Sequence, residues 1–193
     1  MPSCRSHRCC TICRRTSADV AIVNDIRIRP YRLNDAPFAW QAARESLAEL
    51  QLWMPWAHPD YSIEETKSWL TTQVQAFQQG TNFEFAITSA TGEYLGGCGL
   101  NQIDALNQRA NLGYWVRSSA TGKGIATAAV RLLREWGFAH TELMRLEVLI
   151  AVSNTASRRV AEKTGAAYEG TMRGRLRVHG TRHDAAMYAF LKV

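Results

Sequence analysis

No apolar run in this 193-residue chain approaches the roughly 18 residues that a membrane-spanning helix requires. No repeat recurs, and no Pro- or Ser-rich stretch interrupts the body of the chain, so nothing marks an internal linker. The basic start is not followed by the apolar core of an export signal. That argues against a secreted disulfide module and favours the cytoplasm. Charge of one sign is also in short supply. The net charge is +6, and residues 1–24 hold Arg5, Arg8, Arg14 and Arg15 against Asp19 alone, leaving +3 for the remainder. So mild an excess does not argue for nucleic-acid binding, although a polyanionic ligand would be well tolerated. Beyond residue 13 the only cysteine is Cys98, set in an apolar strand and expected as a small buried hydrophobe.

What is present fits one domain. The length suffices for a sizeable core, and 46% hydrophobic with 21% charged residues is ordinary globular composition. The boundary is expected near residue 24. Residues 1–24 read as a disordered Cys- and Arg-rich leader, and residues 25–193 as the domain. Within the leader, Cys10-x-x-Cys13 has the spacing of zinc ligands, beside Cys4, Cys9 and His7. The second pair is badly spaced, and no metal is expected.

The chain is organised around Leu112–His140. Leu112, Tyr114 and Val116 alternate as a strand does, and Ile125, Ala129, Leu132, Leu133 and Trp136 recur at helical spacing. Between them lies a small, polar, glycine-bearing turn, Ser118 to Gly124. A glycine turn entering a helix directs backbone N–H groups and the positive end of the helix dipole at one spot, a cradle for phosphate or pyrophosphate. A Walker A loop does not fit, because position 117 is Arg and Lys123 is followed by Gly124. A dinucleotide fingerprint needs three glycines, and two are present at the wrong spacing.

Around this centre, Asp25–Tyr31 reads as a first strand. A helix follows, capped by Asn34 or Asp35 and running to about Leu50. Ser62-Ile63-Glu64-Glu65 is a capping box for a second helix that Gly80 stops. Strands are expected at Phe83–Ile87, Tyr94–Ile103 and Arg145–Val152. A short helix is expected over Asn154–Gly165, then strands at Ala167–Met172 and His183–Lys192 joined by a basic connection. The order β-α-α-β-β-β-α-β-α-β-β suggests one mixed α/β domain, a twisted sheet with helices on both faces.

Several segments then carry a family resemblance. Thr121-Gly122-Lys123-Gly124-Ile125-Ala126 resembles the acetyl-CoA loop of the GNAT acetyltransferase superfamily, written Gln/Arg-x-x-Gly-x-Gly/Ala. Gly124 and Ala126 match; Thr121 departs from the usual first residue, a change that spares a backbone N–H contact. Gly113–Val116, the Asn154–Gly165 helix, Glu169-Gly170 and the terminal Asp184 and Tyr188 follow in order. Together with Trp53-Met54-Pro55-Trp56, this series resembles the RimJ/RimL-type branch, from about Ile26 to the C-terminus.

The resemblance implies a mostly antiparallel sheet with a splayed central strand pair, and transfer of acetyl from acetyl-CoA to a primary amine by direct attack. Backbone groups of Tyr114, Trp115 and Val116 would pair with the pantetheine arm. Gly122, Lys123, Gly124, Ile125, Ala126 and Thr127 would hold the pyrophosphate. Asn154 occupies the family position for a bond to pantetheine, and it also suits a helix cap. Ser157 would protonate the leaving thiolate, because the tyrosine that many relatives carry one turn later is Ala161 here. Trp53 and Trp56 would wall the acceptor site, or pin their loop to the core. Relatives often have Glu where this chain has Asn111, so the base is open, with Glu45, His58 and Asp60 as candidates. Arg158, Arg159 and the basic stretch Arg173–His183 can meet phosphates, an acidic acceptor or solvent. The branch implies a protein N-terminal α-amine as acceptor, with small-molecule amines or simple acyl-CoA binding as alternatives, in a monomer or homodimer.

Overall fold

The computed structural model describes residues 21–23 and 25–193. Of the leader expected at 1–24, residues 1–20 and 24, including the Cys10-x-x-Cys13 spacing, lie outside the described residues.

The strands are β1 (Ala21–Val23), β2 (Ile26–Pro30), β3 (Phe83–Ser89), β4 (Tyr94–Asp104), β5 (Arg109–Val116), β6 (Arg145–Ala151), β7 (Ala167–Val178) and β8 (Thr181–Leu191). The helices are α1 (Ala36–Glu45), α2 (Leu47–Leu50), α3 (Ile63–Gln79), α4 (Ile125–His140) and α5 (Thr155–Lys163). One sheet takes all the strands in the order β1-β2-β3-β4-β5-β6-β8-β7. Every pairing is antiparallel except β5 with β6, whose connection crosses over through α4. The mixed, mostly antiparallel sheet expected from the sequence is therefore present. It begins slightly earlier than the boundary at 24, because Ala21–Val23 pair with Ile26–Ile28.

Alternation along the central strands sorts side chains to two faces. Phe83, Phe85, Ile87, Leu100 and Leu112 meet Ala129, Leu132 and Leu133 of α4 in the main core. Gly137 lets α4 approach β4, since a Cβ there would lie 2.7 Å from Leu100 Cδ1. On the opposite face Ala86 packs with Tyr31, Ala36, Ala39, Ala42 and Leu70, and Trp115 joins them. Helices thus cover both faces. Truncating a buried leucine of the main core to alanine would cost about 2–5 kcal/mol.

Two elements differ from expectation. The first helix breaks at Ser46, which leaves helical geometry at φ −103° and ψ 10°. Buried Ser46 donates its hydroxyl to the Ala42 carbonyl and accepts the distant N–H of Ser118, so a tertiary bond ends the helix. The basic connection expected at 173–182 is instead mostly strand. A turn with positive φ at His179 (44°) and Gly180 (83°) joins β7 and β8. β7 is an edge strand, largely exposed, and its arginines are the charge that such an edge needs to avoid pairing with other chains.

Candidate active site

The parallel pairing of β5 and β6 is short. It joins Arg109 to Arg145, Ala110 to Leu146 and Asn111 to Glu147, and then stops. β6 continues against β8 as far as Ala151, so from Leu112 to Val116 the edge of β5 faces an opening. The closed end is pinned by charge. Glu147 accepts from Arg109 at 3.0 Å and from Arg145 at 2.8 Å, and Arg145 also pairs with Glu169. The central strand pair is splayed, as anticipated, and Tyr114, Trp115 and Val116 lie on the free edge.

At the open end β5 runs into the glycine turn. Gly122 and Gly124 both have left-handed backbones, at φ 74° and 77°. Ala128 donates the first bond of α4, to the Gly124 carbonyl, and no side chain caps the helix. The N–H groups of Ile125, Ala126 and Thr127 therefore have no helical acceptor. Ile125 is buried in the core while Gly122, Lys123 and Gly124 are exposed, so the turn is anchored by one side chain and presents its backbone outward. Lys123 folds back onto the Ser119 carbonyl at 3.0 Å.

Glu45, at the end of α1, clamps the approach to this turn. It accepts from the Arg117 guanidinium and from the Ser119 N–H, the latter at 2.9 Å. Those donors, Arg117 first, hold its carboxyl down at about 2. A carboxylate so stabilised is a weak base, and its geometry makes it a loop strut. His58, a second candidate base, bonds Glu65 at 2.9 Å. Asp60 is exposed in the same loop.

Across the opening stands α5. Asn154 Oδ1 accepts the Ser157 N–H at 3.1 Å, the capping role open to it from sequence. Ala161 is buried. Ser157 Oγ lies 2.8 Å from the Tyr114 hydroxyl, which is also 3.0 Å from the Ser157 carbonyl. Burial pushes the Tyr114 phenol up to about 12, with the Ser157 bond opposing it, so it stays protonated at neutral pH. Sequence reading assigned Tyr114 a backbone role only; its side chain joins β5 to α5. Arg158 turns to the Tyr188 hydroxyl at 3.3 Å.

The aromatic loop is only partly gathered. The rings of Trp56 and Trp115 meet edge-on at 5.9 Å between centroids, and Trp56 also touches Tyr61. Trp56 thus lies beside Trp115, whose ring packs on the face that carries α1 and α3. Among the described residues, Trp53 stacks on no other ring, whereas Trp56 meets Tyr61 and Trp115.

One further set was missed by sequence reading. Asn111 Nδ2 donates to Asn101 Oδ1 at 2.9 Å, and Asn101 Nδ2 donates to Glu84 Oε1 at 3.1 Å. Three adjacent strands thereby present a polar row on the face that carries α1 and α3. Burial raises the Glu84 carboxyl to about 7, against the opposing bond from Asn101. The alternation Phe83-Glu84-Phe85 signalled a strand, but only the register shows where its carboxylate lies.

A splayed strand pair, a left-handed glycine turn at a helix start and a hydroxyl pair facing the opening define an acyl-CoA transferase-like site. The acetyltransferase (GNAT) domain profile matches residues 25–167, and the chain belongs to that family. The "Putative ribosomal N-acetyltransferase YdaF" of Bacillus subtilis is 41% identical over 101 residues, 52% of this chain and 55% of the relative. The match thus spans little more than half of that protein's length. The ribosomal-protein-serine acetyltransferase of Escherichia coli is 29% identical, over 72% of this chain and 78% of its own. Among solved structures, RimL, a ribosomal L7/L12 alpha-N-protein acetyltransferase in complex with coenzyme A, superposes with TM-score 0.83. It is 26% identical, covering 89% of this chain and 97% of that one.

Proposed function

We propose that this protein moves acetyl from acetyl-CoA to a primary amine, and that the amine is a protein N-terminus. The observation that carries the reading is the free edge of β5 leading directly into the uncapped start of α4. An extended pantetheine arm would add to that edge as a strand adds to a sheet, and the pyrophosphate would meet Gly122–Thr127. Acetyl-CoA supplies a thioester, whose acyl carbon takes a new C–N bond as the C–S bond breaks.

The chain's own groups divide the work. A β5 N–H, from Tyr114, Trp115 or Val116, polarises the thioester carbonyl, a contribution of about 3–4 kcal/mol where such donors have been removed in other enzymes. Ser157 Oγ gives its proton to the leaving sulfur. Tyr114 supports that role by position, since its phenol donates to the Ser157 carbonyl and lies 2.8 Å from Ser157 Oγ, which holds the hydroxyl between β5 and α5. Trp56 and Trp115 border the approach of the amine. The relatives' names point to ribosomal proteins as acceptors, and the alpha-N-protein acetyltransferase RimL favours an N-terminal α-amine.

The test has two readings. Calorimetry with acetyl-CoA and a Gly124→Val variant asks whether the turn binds the cofactor, with weakened binding expected. Mass spectrometry of short peptides and small amines incubated with acetyl-CoA asks which nitrogen is acetylated. Acetyl confined to small amines would replace the protein acceptor with a metabolite. Among the described residues, no helix is long and apolar enough to cross a membrane.

A further inference from the structure

The amine must lose a proton before it attacks, and the family's usual strand carboxylate is absent at Asn111. Glu147, its partner across the closed end of the splay, is held between Arg109 and Arg145. Those two arginines occupy its oxygens.

Glu84 is placed differently. Register aligns Glu84 with Gly99 and Gly99 with Gly113, so the three share one face across β3, β4 and β5. A Cβ on Gly99 would fall 2.0 Å from Glu84 Oε2. The carboxylate therefore lies across β4 in space that only glycine leaves open. A Cβ on Gly113 would meet nothing closer than Asn111 Nδ2 at 3.8 Å. Gly99 and Gly113 thus floor a furrow that runs from Glu84 to the free edge of β5. With neighbouring strands about 4.8 Å apart, the carboxylate over β4 is about two strand spacings from a thioester lying beside β5, a distance for a short chain of waters. Asn101 and Asn111 border the furrow and fix Oε1. Oε2 makes no hydrogen bond within the described protein and is not sealed from solvent.

We propose that Glu84 takes the proton from the incoming amine through water in this furrow, in place of the carboxylate missing at position 111. The inference rests on the placement of the thioester at the β5 edge argued above. The ammonium gives one proton through water to the Glu84 carboxylate, leaving a neutral amine. The nitrogen forms its bond to the acyl carbon, the C–S bond breaks, and the sulfur takes a proton from Ser157 Oγ. The nitrogen's remaining excess proton returns to Ser157, and Glu84 releases its own to solvent between turnovers.

The electrostatics suit the role. Burial holds the Glu84 carboxyl near 7, where it exchanges protons at working pH. The titratable groups coupled to it are Tyr31, in the segment after β2, and Cys98 on β4. Both are pushed up by burial and stay neutral there. No charge on α1 or α3 among the described residues offsets the effect.

Wild type and Glu84→Gln are compared on whichever amine the wild type acetylates. The rise of kcat/KM through about pH 7 should disappear in the variant, and kcat should drop at least about 100-fold. The acetyl-CoA Kd by calorimetry should stay within twofold. Adding Asn111→Glu to Glu84→Gln returns a carboxylate to the furrow and should recover at least about tenfold of kcat. An unchanged rate and pH limb in Glu84→Gln overturns the proposal. So does a parallel loss of acetyl-CoA affinity, which would make Glu84 a strut of the fold. Failure of the underlying reading looks different, because the wild type itself would then transfer acetyl to no amine.

Discussion

Tyr114 and Ser157 meet hydroxyl to hydroxyl at 2.8 Å, 43 residues apart in sequence. The bond crosses from the free edge of β5 to the first turn of α5, the two walls between which the thioester would lie. It makes the orientation of Ser157 a property of the splay itself.

Ser157→Ala should lower kcat about 100-fold while the acetyl-CoA Kd stays put. Tyr114→Phe should lower kcat less, because the serine proton remains. The double variant should behave like Ser157→Ala alone, the non-additivity expected of residues that act as one unit. Steady-state rates and calorimetry on the three proteins check this. Full turnover in Ser157→Ala would remove the serine from the chemistry.

Glu45 gives a prediction with a pH sign. Its folded carboxyl is held at about 2, below the unfolded value of 4.5, by Arg117 and Ser119. The stabilisation is therefore complete above the unfolded value and fades as pH falls from there through about 2. The pair is partly exposed, so about 1 kcal/mol is expected. Urea unfolding of wild type and Glu45→Gln should differ by that amount at pH 7 and converge towards pH 2. The variant should also bind acetyl-CoA several-fold more weakly, since Ser119 leads into the cradle.

Gly99→Ala separates the furrow from the fold. Its new methyl strikes the Glu84 carboxyl, which must leave Asn101 to make room, so a loss of about 1–3 kcal/mol of stability is expected, with the fold kept. Displacing the carboxylate should still cut kcat towards the level of Glu84→Gln. A fully active Gly99→Ala would show that Glu84 need not occupy that position.

If Trp56 walls the acceptor site as proposed, Trp56→Ala should raise the KM for the amine several-fold and leave acetyl-CoA affinity unchanged. Trp53→Ala, with no ring partner, should have the smaller effect on KM. Equal effects would place both tryptophans in loop packing.

Local rules carried much of the fold. Ser62 and Glu65 form the capping box that their spacing announced, with the Glu65 N–H on Ser62 Oγ at 3.2 Å. Long-range bonds carried the rest. The helix break at Ser46 is set by Ser118, and the strand character of Arg173–Val178 by pairing with β8. The same division runs through the site. The left-handed glycine turn and the place of Ser157 in the first turn of α5 were legible because both are local. Glu84 and the Tyr114 side chain were not, because sheet register and helix packing give them their partners.

The most direct test of acetyl transfer is one competition reaction. Purified protein and acetyl-CoA meet a mixture of N-terminally varied peptides and small amines, and mass spectrometry locates the acetyl group. Acetyl on peptide α-amines, with lysine side chains untouched, is the expected result. Acetyl-CoA bound with no amine modified, at any pH from 6 to 9, would contradict it.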